Sequence, residues 1–90
     1  MRQVVYSTQA RRDLKRYRND PLRMRALFEV LHRLASDIPL SQSYRAHKLK
    51  GNYAGCMECH IEGDFLLVWI DEEKDTIEVV RVGSHAELFR

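Results

Sequence analysis

The sequence predicts a single α+β domain in which two helices pack on a small, twisted, mainly antiparallel sheet. Its 90 residues, 44% hydrophobic and 31% charged, suit one compact domain with a modest core, so residues 1–90 are assigned to it. Helical periodicity is confined to the first half, and strand-like alternation fills the second half. Short turns connect the later strands, which favours antiparallel neighbours. One strand, two helices and then a run of strands is an order typical of an α+β fold.

Composition excludes several other classes of protein. These proportions of apolar and charged residues are not those of a disordered tail. The longest apolar run, residues 65–70, is far shorter than the ~18 residues needed to span a bilayer. The N-terminal segment lacks the long apolar region of a secretory signal. We therefore expect a cytoplasmic protein with no membrane partner.

A short strand at residues 4–6 precedes the first helix. Ser7 or Thr8 is suited to cap this helix, which extends to about Arg18. Three apolar residues recur at positions i, i+4 and i+7, namely Ala10, Leu14 and Tyr17. Three basic residues form a stripe on the other side, namely Arg11, Lys15 and Arg18.

The second helix is the element that the sequence defines best. It begins with Asp20 as the N-cap and Pro21 at the first helical position, and Pro39 ends it. Its apolar residues form one continuous stripe, made of Met24, Leu27, Phe28, Leu31, Leu34, Ala35 and Ile38.

The second half reads as an antiparallel meander. Residues 56–61 alternate, with Met57, Cys59 and Ile61 on one face and Glu58 and His60 on the other. A turn at residues 62–64 leads to the apolar strand 65–70. After the acidic loop 71–75, the β-branched segment 76–82 forms another strand.

Charge is distributed unevenly along the chain. Residues 1–50 hold 12 of the 15 Lys and Arg residues and four of the 13 acids, whereas residues 51–90 hold three bases and nine acids. A basic half suggests a polyanionic partner such as nucleic acid. Solvated helices rich in Arg would give the same distribution, so charge alone leaves both interpretations open.

The string Cys56-Met57-Glu58-Cys59-His60 matches the Cys-x-x-Cys-His pattern of covalent haem attachment. In a strand, however, residues i and i+3 point to opposite faces, so both thiols cannot reach one porphyrin. A zinc site fails on the same geometry unless the segment forms a knuckle. We therefore predict two small apolar core residues, with no disulfide, no metal site and no cofactor.

Three histidines of the second half, His47, His60 and His85, lie beside turns or on the polar face of a strand. Together with Glu58, Asp64 and Arg81 they supply an acid, a base and an anion-stabilising group. This combination suits general acid–base chemistry on a phosphodiester. Glu58 and Arg81 could equally form a cross-strand ion pair.

Three segments together carry a resemblance to a known family. They are residues 47–55 with the pattern His-x-Leu-x-Gly, residues 58–69, and residues 81–89 with the ending Gly-Ser-His-x-x-Leu-Phe. In this order and spacing the chain resembles the YafQ branch of the RelE-type toxins. Two departures are the longer acid Glu58, where some relatives have Asp, and Gly63 in place of a frequent turn Pro.

The resemblance implies a RelE-like, microbial-RNase-like fold and a ribosome-dependent endoribonuclease, the toxin of a type II toxin–antitoxin pair. Such an mRNA interferase cuts mRNA in the ribosomal A site and is held inactive by a cognate antitoxin, with which it binds operator DNA. The implied catalytic residues are His47, Glu58, His60, Asp64, Arg81 and His85. The implied substrate-binding residues are Phe89 and the bases Arg11, Lys15, Arg18, Lys48 and Lys50.

Such an enzyme uses the 2′-OH of the RNA as its nucleophile. We expect His85 to act as general acid and Arg81 to hold the phosphate, while His47, His60 and Asp64 position or deprotonate the 2′-OH. Two alternatives remain open at this point. One is a catalytically silent RelE-like module that binds a partner or RNA, and the other is a haem or metal protein built on the cysteines.

Overall fold

The computed structural model describes residues 1–89. Its strands are β1 (Gln3–Tyr6), β2 (His47–Lys48), β3 (Met57–Glu62), β4 (Phe65–Ile70) and β5 (Thr76–Gly83). Its helices are α1 (Thr8–Tyr17), α2 (Pro21–Ala35) and the short α3 (His85–Leu88), with single 3₁₀ turns at Gln42–Tyr44 and Gly51–Tyr53.

The five strands form one sheet in the order β1-β5-β4-β3-β2. Strands β2 to β5 pair antiparallel, whereas β1 pairs parallel with β5. Helices α1 and α2 connect β1 to the rest of the sheet, as a parallel pairing requires a long crossover. The α+β class and the mainly antiparallel sheet are therefore confirmed.

Helices α1 and α2 cover one face of the sheet, which we call the helix-covered face. The side chain of Ser7 caps α1 and that of Asp20 caps α2, so both helices begin where the sequence predicts. The buried core between helices and sheet consists of Ala10, Leu27, Val30, Leu31, Leu34, Cys59, Ile61, Phe65, Leu67, Trp69, Ile77, Val79 and Val82.

The predicted stripe of α2 is wrong in part. Phe28 and Ile38 are 51% and 42% exposed, whereas Val30 is fully buried. The helix also ends at Ala35, before Ile38, because Asp37 adopts a left-handed backbone with φ of 56°. The amide of Ile38 then donates back to the carbonyl of Arg33, which closes the helix end.

The two cysteines lie on opposite faces of the sheet. Cys59 belongs to the core under the helices, and Cys56 packs on the other face beside Leu66, Val68 and Leu88. Both are free thiols, and burial raises the pKa of Cys59 to about 12. The prediction of two buried core residues is confirmed, and the geometry contradicts a shared haem or zinc site. Within residues 1–89 no helix is long and apolar enough to cross a membrane.

Candidate functional site

The second face of the sheet, which we call the open face, carries the predicted site. The buried apolar cluster on this face is small and consists of Cys56, Leu66, Val68 and Leu88. Leu88 comes from α3, whose single turn of helix follows β5 directly. Most of the polar side chains on this face therefore remain accessible to a ligand.

Strand pairing places the predicted residues in two neighbouring rows on the open face. The first row crosses four strands, with His47 opposite Glu58, Glu58 opposite Val68, and Val68 opposite Arg81. The second row places His60 opposite Leu66 and Leu66 opposite Gly83, two residues before His85. Because adjacent strands are ~4.8 Å apart, Glu58 and Arg81 are separated by roughly 10 Å across Val68.

His47 and Glu58 form a close pair at one end of the first row. Nε2 of His47 lies 3.2 Å from Oε1 of Glu58, and Nδ1–H donates to the carbonyl of Arg45 at 2.7 Å. The Glu58 side chain is 6% exposed while that of His47 is 48% exposed. Oε2 of Glu58 is buried without a hydrogen-bond partner among the described residues. Glu58 therefore supports His47 from beneath, and His47 faces solvent.

Arg81 lies at the other end of the row, and its partner is Asp13 of α1. Nε donates to Oδ2 at 2.8 Å and Nη2 donates to Oδ1 at 3.1 Å, which is a two-pronged pair. Nη1 donates to the hydroxyl of Tyr53 at 3.2 Å, and Nη2 also donates to the carbonyl of Glu87 at 3.4 Å. The hydrogen bonds to Asp13 raise the pKa of Arg81 despite its burial. The alternative of a Glu58–Arg81 ion pair is therefore wrong.

Asp13 reaches Arg81 because β1 stops short of the end of β5. The pairing of the two strands ends at Tyr6 opposite Val79. Beyond this point α1 takes the place of a neighbouring strand. The hydroxyl of Ser7 donates to the carbonyl of Val80, and the amide of Val82 donates to Asp13 at 3.0 Å.

Sequence reasoning missed Asp13, although the helical pattern contained a signal for it. Asp13 lies three residues after Ala10, among the apolar positions of α1 rather than in its basic stripe. An acid at such a position is expected to be buried, and a buried carboxylate requires partners. Its partner, however, is 68 residues away in the chain.

Helix α3 fixes the position of His85 by backbone contacts. Ser84 and Glu87 form a capping box, and Oδ1 of Asp64 accepts the amide N–H of His85 at 2.8 Å. Glycine suits this bend because Gly83 has φ of 154°, which residues with a Cβ rarely adopt, and a Cβ there would also displace Oε1 of Glu87 from the capping box. Asp64 thus contacts the backbone of His85, while the imidazole of His85 is exposed.

An aromatic group adjoins His85. The ring of Phe89 lies 4.8 Å from the imidazole of His85, and 5.6 Å from the ring of Tyr53 in an edge-to-face arrangement. Tyr53, which sequence reasoning did not select, connects this group to Arg81 through its hydroxyl. His60 is half-buried in the next row, with Nδ1 3.4 Å from the carbonyl of Gly63.

The predicted basic residues fall into two groups. Lys48 and Lys50 are exposed near His47 at the edge of the sheet, but Lys48 is opposite Met57 of the helix-covered core and therefore points away from the open face. Arg11, Lys15 and Arg18 are exposed on α1 in the helical layer and do not share a face with the histidines. No three His, Cys, Asp or Glu side chains within the described part of the chain are arranged to hold a metal ion.

Comparisons with known proteins agree with this architecture. Residues 2–90 match the family described as bacterial toxin of type II toxin–antitoxin system, YafQ. The mRNA interferase toxin YafQ of Escherichia coli K12 is 30% identical over 98% of this chain and 96% of its own length. A metal-bound toxin from Helicobacter pylori superposes with a TM-score of 0.86 at 36% identity, over 99% of this chain and all of that one. YafQ in the E. coli DinJ–YafQ toxin–antitoxin complex superposes with a TM-score of 0.84 at 29% identity, over 99% of this chain and 98% of that one. The chain therefore belongs to the YafQ family of bacterial type II toxins.

Proposed function

We propose that this chain is an mRNA interferase, an endoribonuclease that cuts mRNA in the ribosomal A site. One observation carries the proposal. His47, His60 and Arg81 lie on two neighbouring rows of the open face, and the second row ends at Gly83, two residues before His85. A relative that is 30% identical is named an mRNA interferase, which supports the same reaction class.

Cleavage by attack of the 2′-OH requires a base, an acid and a group that stabilises charge on the phosphate. His85 is exposed beside Phe89 and is the proposed general acid for the leaving 5′-oxygen. His47 and His60 are the proposed groups that position or deprotonate the 2′-OH. Asp64 contributes by holding the amide of His85, and Glu58 by holding His47.

Arg81 is proposed to stabilise the phosphate through one remaining N–H. A guanidinium has five N–H donors, and four of those of Arg81 already point to Asp13, Tyr53 and Glu87. The free hydrogen is on Nη1, which also contacts Tyr53. The phosphate would therefore meet a guanidinium whose orientation is already fixed.

The surroundings of these groups suit a single-stranded RNA. Phe89 and Tyr53 offer aromatic surfaces on which a base can stack. Lys48 and Lys50 are exposed at the edge of the sheet that carries His47, and we propose that they meet backbone phosphates there. The stripe of Arg11, Lys15 and Arg18 on α1 is available for ribosomal RNA, with an affinity that falls as salt rises.

The proposed partners follow from the same assignment. A related YafQ is described in complex with the antitoxin DinJ, and we propose that a cognate antitoxin holds this chain inactive in the cytoplasm. Covering the open face or the basic stripe by an acidic segment would block access to the ribosome. Binding of operator DNA by the toxin–antitoxin complex is proposed on the family resemblance alone.

The test uses the purified chain, ribosomes and a defined mRNA, with primer extension to locate new 5′ ends. We expect cleavage within the A-site codon of ribosome-bound mRNA and none of the same mRNA free in solution. His85→Gln should abolish cleavage, while the control His32→Gln, at an exposed position of α2, should cut normally. Intact mRNA with the wild-type chain would favour a silent binding module, and equal cutting of free mRNA would contradict ribosome dependence.

A further inference from the structure

Asp13 is a buried carboxylate that no part of the proposed reaction uses directly. It is 1% exposed and lies on α1, outside the two rows of the open face. Three partners surround it: the guanidinium of Arg81, the amide of Val82 at 3.0 Å, and Nη1 of Arg16 at 3.3 Å. Because Asp13 is behind Arg81, it cannot reach a ligand on the open face except through that side chain.

The pair with Asp13 determines both the orientation and the charge of Arg81. Two parallel hydrogen bonds to one carboxylate fix the plane of the guanidinium, which a single bond would leave free to rotate. The negative charge of the carboxylate also cancels the positive charge of the guanidinium, as felt by a polyanion that is still some distance away. Arg81 therefore attracts a polyanion less strongly than an unpaired arginine would, although its free N–H still meets a phosphate that is already in place.

We propose that Asp13 is a positioning residue, which orients Arg81 toward the scissile phosphate and reduces its contribution to non-specific RNA affinity. The proposal rests on the proposed function, in that Arg81 is taken to contact the phosphate in the transition state. Loss of Asp13 should then slow the chemical step while leaving RNA binding as tight as before, or tighter. A carboxylate that merely joined α1 to β5 would affect stability and would not separate rate from binding.

The first test is kinetic and uses Asp13→Asn. Asparagine has the same shape and retains one oxygen for the amide of Val82, but it removes the charge and the second acceptor. We expect kcat for ribosome-bound mRNA to fall about 10²-fold, the size of effect that misorientation by ~1 Å produces. Binding of an mRNA blocked by 2′-O-methylation at the cut site should not weaken. Its salt dependence should steepen by about 0.7 in log–log slope, as for one added phosphate contact.

The matched control is Asp20→Asn. It makes the same change of charge at the exposed Asp20–Arg23 pair, and Asn caps a helix as well as Asp does. This variant should retain kcat, which separates the effect of position from that of net charge.

The second test is spectroscopic and needs no activity. In ¹H–¹⁵N spectra the Nε–H of Arg81, assigned by its loss in Arg81→Lys, should exchange slowly in the wild-type chain and in Asp20→Asn. It should exchange fast in Asp13→Asn, while the backbone amide signals of β4 and β5 keep their positions. A slowly exchanging Nε–H in folded Asp13→Asn, or a kcat within twofold of the wild type, would overturn the proposal.

Two further outcomes also test the proposal. If Asp13→Asn does not fold, Tyr53→Phe replaces it, since this change removes only the hydroxyl that accepts from Nη1 of Arg81. A lower kcat with unchanged binding then supports control of rate through Arg81 orientation, and an unchanged kcat contradicts it. If the wild-type chain does not cleave at all, the proposed function fails, and the exchange of the Nε–H alone decides whether Asp13 orients Arg81.

Discussion

Different interactions stabilise the side chains on the two faces of the sheet. On the helix-covered face, two helices and three strands bury thirteen side chains in one cluster, and all of them are apolar. On the open face four apolar side chains are buried, and the polar ones are positioned by hydrogen bonds. Burial of apolar surface is non-directional, whereas hydrogen bonds fix orientation. The open face is therefore the one suited to chemistry.

The two faces are nevertheless not independent. Three residues of α1 reach past the end of β1 toward the open side: Asp13 pairs with Arg81, and Arg16 and Tyr17 contact Glu87 of α3. The helical layer thus supplies both the core and the partners that orient the site. We therefore expect the position of α1 beside the edge of β5 to affect the proposed site as well as the fold.

The largest expected effect tests whether the open face also contributes to stability. Arg81→Met removes the two-pronged partner of the buried Asp13 carboxylate and leaves only the amide of Val82 and the partly exposed Arg16 beside it, which should lower the free energy of unfolding by about 3–5 kcal/mol. The double variant Asp13→Asn with Arg81→Met removes the charge and should recover most of this loss without recovering cleavage. Urea unfolding measures both.

The exposed Asp20–Arg23 pair supplies the matched control for this prediction. Its N···O distance of 2.7 Å is as short as that in the Asp13–Arg81 pair, but its side chains are 33% and 49% exposed. Arg23→Met should therefore cost only about 0.2–1 kcal/mol. Equal losses in Arg23→Met and Arg81→Met would show that burial of the second pair has no energetic consequence.

Much of the helix-covered face could be predicted from sequence because local pattern determines it. Alternation in residues 56–61 correctly separated Met57, Cys59 and Ile61 from Glu58 and His60. The apolar run gave the bounds of β4, and the caps gave the starts of α1 and α2. The prediction for Phe28 was wrong because an apolar stripe indicates which side of a helix is buried but not how far around the helix the buried surface extends. The prediction for Ile38 was wrong because Asp37 ends the helix before that residue.

The open face could be predicted only in part, because its contacts join distant parts of the chain. The residue types were chosen from chemistry and resemblance, but the Asp13–Arg81 pair spans 68 positions and depends on where β1 ends. Strand β2 has two residues and α3 has four, so both elements are too short to show a periodic pattern in the sequence. The capping box of Ser84 and Glu87 was the one local signal for α3.

The next prediction concerns the outer surface of the helical layer. Arg11, Lys15 and Arg18 are exposed on α1, away from the open face. If this stripe meets ribosomal RNA, replacing all three by Glu should weaken ribosome binding and lower its log–log salt slope by roughly 2–3, or about 0.7–0.9 for each lost phosphate contact.

A single-residue comparison controls for net charge. Lys15→Glu should reproduce about a third of the change in slope, whereas Lys74→Glu, in the acidic loop before β5, should have little effect. Similar slopes for both variants would mean that the stripe is an ordinary solvated surface, and that ribosome binding belongs to the open face alone.

The smallest expected effect concerns the contact between the layers at Glu87. Burial favours the neutral acid, but hydrogen bonds from Ser84 and Tyr17 and the charge of Arg16 outweigh it and hold the pKa of Glu87 below its ordinary value. The ionised Glu87 carboxylate therefore stabilises the fold fully above the ordinary pKa of a glutamate. This stabilisation is lost as the pH falls through the lower pKa that Glu87 has in the folded chain. Burial and the same carboxylate raise the pKa of Tyr17 to about 12, so its contribution is lost as the pH rises from about 10 to 12.

Glu87→Gln should consequently flatten both limbs of the stability profile between pH 3 and 12, measured as the urea midpoint at each pH. The control Glu29→Gln alters an exposed acid of α2, 60% accessible and paired with Arg33, and should leave both limbs almost unchanged. An unaltered profile in Glu87→Gln would mean that other groups cause the loss of stability at low and at high pH. The junction of α1 with α3 would then be held by packing, and the contrast between the two faces would not extend to the contact that joins them.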